Sequence, residues 1–227
     1  MFTLHDIVIC LGTFTILVSF VMAVYVRKRT GLKYLQIFYF CPLIALLISI
    51  NTLSYFYFDL FSSRVLFFLQ NLLFLLDLLF WNIFFVFILK DKKEKIILKV
   101  AVFLLFLFLA ILYYYENFFR PLFLIFSVSN LWKSFMCIVY YNSLFNSKPN
   151  LLIRKEPLFW IITGLFFFSN ITLPQYSLHD YLKKQLPLEL SNNLFSSTNI
   201  SIIIMHLLFI KAYTCLLNKY LKNANLN

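Results

Sequence analysis

The sequence predicts an all-α integral membrane protein. It reads as a seven-transmembrane-helix bundle with its N-terminus outside and its C-terminus cytoplasmic. Three observations predict this. First, 62% of the 227 residues are hydrophobic, 21% are aromatic and only 13% are charged. Soluble domains hold about 45–50% apolar and about 25% charged residues, so lipid must solvate most of the outside. Second, the apolar stretches run for roughly twenty residues, enough for a helix across a bilayer and about twice a barrel strand. Backbone groups in lipid must be satisfied within a helix or a closed barrel, and this length selects helices. Third, the gaps between stretches alternate between rich and poor in Lys and Arg, as cytoplasmic and outer loops do.

A single seven-helix transmembrane domain covers residues 1–227. Span 1 runs from about Ile7 to Val26, and Arg27, Lys28 and Arg29 follow it at once. A cleavable signal peptide carries its basic residues in front, so this segment is expected to be a retained anchor. Span 2 is about Tyr34 to Phe58, with a kink expected at Pro42 in its first third. Asp59 to Ser63 makes a short outer turn, and span 3 follows from about Val65 to Leu89. The next gap, Lys90 to Lys95, is the most charged segment. Span 4, about Ile96 to Tyr115, ends in three tyrosines suited to the headgroup level. Span 5 is about Pro121 to Phe145. Span 6 is about Leu158 to Leu173, opened by Pro157 at its first turn and expected to stop at Pro174. A loop, Gln175 to Phe195, is expected next, then span 7 from about Ser196 to Leu217.

Basic residues set the orientation. The gaps after spans 1, 3 and 5 and the end of span 7 hold fifteen Lys and Arg; the opposite side holds Arg64, Arg120, Lys183 and Lys184. The richer side is the cytoplasmic one. The net charge of +11 would suggest nucleic acid in a soluble protein. Here no soluble stretch is long enough to fold as such a module, and anionic headgroups are the expected counterpart. The expected partners are therefore the lipid bilayer and no nucleic acid. Cys10, Cys41, Cys137 and Cys215 all lie within spans, with no CxxC and no ligand spacing. No metal motif, nucleophile elbow, P-loop or dinucleotide fingerprint occurs, and three glycines could not build the last two. No cofactor is implied, no catalytic group stands out, and no internal repeat marks an inverted-repeat transporter.

Ionisable residues at membrane depth are costly and are functional candidates by default. Asp77 in span 3 and Lys133 in span 5 lie roughly 18–20 Å and roughly 18 Å from their outer ends, at ~1.5 Å per residue. His206 in span 7 lies at roughly 16 Å. Gln70 and Asp77 share a face of span 3, with Trp81 one turn further along. Ser127, Asn130, Lys133, Ser134, Cys137 and Tyr141 form a polar stripe on span 5, and Asn199, His206 and Tyr213 recur at spacings of seven on span 7. If the three stripes turn inward they enclose a midplane polar site of Asp77, Lys133, His206, Gln70, Trp81, Asn130, Asn199 and Tyr213. Three uses stay open: fastening helices, binding an unknown small ligand or ion, and relaying protons. Retinal chemistry, with its lysine in the seventh helix, is disfavoured. Lys211 lies roughly 140° around the helix from His206, and near enough to the inner end to snorkel.

The stretch Glu156-Pro157-Leu158-Phe159-Trp160-Ile161-Ile162-Thr163-Gly164 resembles a recurrent motif of small seven-helix membrane proteins of the Bacteroidetes. Similar units stand alone or precede histidine-kinase domains as their membrane sensor part. The acid at mid-span 3 (Asp77, where Glu is more usual) and Asn199 at the start of span 7 look like that family too. The resemblance implies a sensor module of the bacterial cytoplasmic (inner) membrane. The tail after Leu217 is ten residues, so output is expected through a separate histidine kinase or other cytoplasmic signalling protein. The competing readings are a small transporter or channel with a midplane polar site, and an intramembrane enzyme or accessory membrane protein.

Overall fold

A computed structural model describes residues 4–30, 38–58, 63–89, 91–115, 123–147 and 153–224. Among them the chain is helical throughout, with no strand. The long helices are α1 (Leu4–Thr30), α2 (Phe40–Phe58), α3 (Ser63–Ile88), α4 (Lys92–Tyr115), α5 (Phe123–Ser147) and α6 (Pro157–Ser177). A short α7 (His179–Gln185) and the long α8 (Leu188–Ala224) complete the chain, with one 3-10 turn at Ile153–Lys155 before α6. Five segments are long and apolar enough to cross a membrane: Asp6–Lys28, Arg64–Ile88, Phe123–Asn146, Pro157–Ser177 and Ser197–Leu221. They belong to α1, α3, α5, α6 and α8, and identify a multi-pass membrane protein. The second and fourth expected spans are helical as α2 and α4. The expected starts at Tyr34 and Pro121, the turn at Asp59 and the basic positions Lys33, Lys90, Arg120 and Lys148 lie outside the described residues.

Proline placement explains several boundaries. Pro157 opens α6 at its first turn, where a missing N–H costs nothing. The helical run is interrupted at Tyr39, just ahead of Pro42. Pro42 offers no N–H to the carbonyl four residues back and its ring crowds that carbonyl. Pro174 does not stop its helix as expected: α6 continues through it to Ser177. The Gln175–Phe195 segment is likewise helical for most of its length, in the end of α6, in α7 and in the start of α8. The reason is tertiary. Gln175, one residue past the proline, is tied by side-chain hydrogen bonds to Ser197 and Thr198 of α8, which holds the last turn of α6 in place.

Neighbouring helices pack in the order α1–α2–α3–α5–α6–α8 and back to α1, which closes a ring of six. α4 stands outside on α3, where its Leu109 meets Leu78 and Ile125. Within the ring, α3 and α5 are the least extensively packed neighbours. Nearest the basic end of the bundle the interior is filled by an aromatic plug. The Phe38 ring lies 5.3 Å from Phe84, 5.2 Å from Phe209 and 5.9 Å from Tyr213, and Trp81 sits edge-on to Phe84 at 5.5 Å. Such tilted and edge-on pairs add about 0.5–1.5 kcal/mol each beyond area burial. At the same end the Arg27 guanidinium lies 4.2 Å over the Tyr39 ring, joining α1 to the chain entering α2. The outward faces are apolar: Leu72, Leu76, Leu79, Ile83 and Phe87 on α3 and Ile97, Phe103 and Leu107 on α4 are exposed, as lipid contact requires.

Candidate functional site

The two charges that the sequence places at matching depth do meet. The Lys133 ammonium of α5 donates to Asp77 Oδ2 of α3 at 2.5 Å. Trp81, one turn along α3, donates its indole N–H to the other carboxylate oxygen at 3.0 Å. The Lys133 side chain is 6% exposed and that of Asp77 18%. An ionised group alone at this depth costs several kcal/mol, and a hydrogen-bonded partner offsets that cost. Cys41 of α2 and Cys137 of α5 are buried in the same interior. Both are free thiols.

A second polar link joins the same helices. Trp132, adjacent to Lys133, donates its indole N–H to Asn82 Oδ1 at 2.7 Å, and the Asn82 amide donates back to the Leu78 carbonyl at 2.8 Å. Two long side chains from α5 therefore span the sparsely packed α3–α5 junction, each ending on a polar group of α3.

The α5–α6–α8 seam is polar in a different way. Asn130 of α5 donates to Thr172 Oγ1 of α6 at 3.0 Å, and Tyr141 shares a hydrogen bond with Thr163 at 2.9 Å. Gln175 bonds to Ser197 and Thr198, as above. Between these links Gly164 brings α6 against α8. A Cβ there would stand 3.1 Å from the Met205 carbonyl oxygen and 3.2 Å from the Phe209 ring. Small residues permit such approach between membrane helices. The Glu156–Gly164 motif thus has visible local roles: Trp160 bonds the Arg154 carbonyl at 3.0 Å, Thr163 reaches α5 and Gly164 admits α8.

The eight expected site residues separate. Asp77, Lys133 and Trp81 form one hydrogen-bonded group. Asn130 turns to α6 instead. Tyr213 is part of the aromatic plug. His206 is fully buried with its ring edge-on to Phe209 at 5.3 Å, and neither ring nitrogen has a hydrogen-bond partner. It lies on the interior face without bonding to the ion pair. Gln70 and Asn199 are half-buried, nearer the end opposite the plug. Lys211 is exposed, away from the buried His206. Among the described residues no three His, Cys, Asp or Glu side chains come together to hold a metal ion. Sequence reasoning missed Asn82, Trp132, Thr172 and Gln175. Asn82 and Trp132 had a signal, since each is a polar-tipped residue next to a member of the site; Gln175 had none once Pro174 was taken as a helix end.

No family model, no curated protein and no solved structure matches the chain.

Proposed function

We propose that this protein is a receptor-like sensor module that crosses the bacterial cytoplasmic membrane seven times. Its amino end faces outward, and it passes its state to a separate cytoplasmic partner such as a histidine kinase. The observation that carries this reading is the Asp77–Lys133 pair, a charge-neutral group turned to the bundle interior at mid-depth. Charged side chains held inside membrane bundles mark ligand sites, ion pathways and relays. The fifteen-to-four distribution of basic residues supports the orientation. The motif at Glu156–Gly164 supports the sensor assignment by resemblance. The sparsely packed α3–α5 junction, bridged by Lys133 and Trp132, gives the bundle an element on which a signal could act.

The test compares cells carrying the native chain with cells carrying the Asp77→Asn/Lys133→Met double variant at matched membrane levels. Transcript profiles are recorded across a panel of small molecules added outside. A sensor gives a response in native cells that the variant lacks. Identical profiles, together with solute uptake by vesicles of the purified chain, would replace this reading with the transporter one. The transporter reading has an observation of its own: Ser134, Ser169 and His206 carry buried polar atoms without hydrogen-bond partners on α5, α6 and α8. Polar groups of this kind line a permeation path as readily as they line a binding site.

A further inference from the structure

One part of the basic end of the bundle is built around a fixed turn. Arg154 and Lys155 sit in the 3-10 turn Ile153–Lys155, just ahead of α6, and both are exposed. Three hydrogen bonds hold this turn. The Glu156 N–H donates to the Ile153 carbonyl at 3.1 Å. The Trp160 indole N–H donates to the Arg154 carbonyl at 3.0 Å, and the Cys215 thiol of α8 donates to that same carbonyl at 3.9 Å. The backbone of Arg154 is thus pinned at the seam of α6 and α8.

α8 adds two cations on the same flank. Lys211, Cys215 and Lys219 follow one another in four-residue steps, a stripe that turns only about 40° per step. Cys215 sets that stripe beside Arg154. Lys211 and Lys219 are both exposed. Lys211 lies about 6 Å deeper in the bundle than Cys215, and Lys219 about 6 Å nearer the end of α8. A lysine stem spans that distance along a helix, so both ammonium groups can reach the level of Arg154. Acids that could neutralise them are few. Glu156 adjoins the turn, and the sequence from Leu190 onward has no Asp or Glu.

The surroundings decide what these cations meet. Leu207, one turn deeper than Lys211, is 51% exposed, and Phe167 of α6 is exposed too. Both belong to segments apolar enough to cross a membrane. Lys211 therefore borders acyl chains, at a depth that a soluble acidic protein does not enter. A molecule that approaches from that side with a negative charge carries it above an apolar body. The planar guanidinium of Arg154 matches two oxygens of a phosphate, and the lysines add point charges.

We propose that the lipid-facing flank of the α6–α8 seam at the basic end is a binding site for the headgroup of an anionic phospholipid. Arg154, Lys211 and Lys219 surround its phosphate, and Trp160 stands at the headgroup level.

The test uses the full chain in nanodiscs of phosphatidylcholine. Rising shares of phosphatidylglycerol or of phosphatidylcholine, brominated in the acyl chains, are introduced, and tryptophan quenching is recorded. Subtracting the Trp160→Phe counterpart of each form isolates Trp160 from Trp81 and Trp132. Phosphatidylglycerol should quench Trp160 at about one-fifth of the mole fraction that phosphatidylcholine needs, or less, since one basic residue near the surface contributes about fivefold. Arg154→Gln/Lys211→Gln/Lys219→Gln should lose this preference. Lys92→Gln/Lys93→Gln/Lys99→Gln, which removes the same charge from the start of α4, should keep it. Lys219→Gln alone, an exposed change that leaves the Arg154 turn intact, should lower the preference several-fold, and an unchanged preference there would refute the cluster. Equal loss in the two triple variants would mean a diffuse attraction of the whole basic end and refute the site, as would a native chain with no preference. Inorganic phosphate at matched ionic strength should leave the quenching unchanged. Displacement of the lipid by it would show a site for soluble phosphate and overturn the lipid assignment.

Discussion

Asp77→Asn is the most informative single change in this protein. It removes one charge, keeps the side-chain shape, and leaves a carbonyl oxygen that still accepts from Trp81. What is lost is the neutralisation of Lys133, whose side chain is only 6% exposed. At 2.5 Å two unit charges attract by about 6–7 kcal/mol at an effective dielectric constant of about 20. Desolvation of the two ions takes back much of that. The measured consequence of stranding one partner of a buried pair is about 3–5 kcal/mol. Lys133→Met should cost less, about 1–3 kcal/mol, because the remaining carboxylate keeps Trp81 and is 18% exposed. Replacing both partners should be close to neutral. The coupling, double minus the sum of the singles, is thus expected at about 4–8 kcal/mol in magnitude, well above the few tenths of independent sites. The assay is folded yield and thermal midpoint of all four forms in one detergent, read by monodisperse elution of a fluorescent fusion. If the double variant folds no better than Asp77→Asn, the ion pair is not what holds these charges in the bundle.

Other outcomes follow from the same contacts. Gly164→Ala should destabilise by about 1 kcal/mol and Gly164→Val by about 2–3 kcal/mol in a melt, since the Met205 carbonyl at 3.1 Å is backbone and cannot step aside. A Gly164→Ala variant more stable than the native chain would show that α6 and α8 have slack. Asn82→Ala should cost about 1–3 kcal/mol by leaving the Trp132 indole N–H unpaired, and Trp132→Phe in the same chain should recover part of it. Gln175→Leu should cost a similar amount, about 1–3 kcal/mol, and raise hydrogen exchange in the last turn of α6. Unchanged exchange there would mean that the turn beyond Pro174 does not depend on α8.

The helices and their amphipathic stripes were legible in the sequence because both are local. An apolar run of bilayer length commits the backbone to helix, and residues seven apart share a face whatever lies opposite. Even the meeting of Asp77 and Lys133 was foreseeable, since a charge at mid-depth needs an opposite charge at the same level. Which helix each polar stripe faces is a property of the order around the ring, and nothing in one helix encodes its neighbour. Asn130 and Lys133 sit three residues apart on α5, yet one bonds to α6 and the other to α3. Pro174 reads locally as a stop, and only the Gln175 bonds to α8 carry α6 past it. The partial exposure of Asp77 also belongs to the tertiary structure alone, because the sequence sets the depth of a charge but only the packing of several helices decides how completely it is covered.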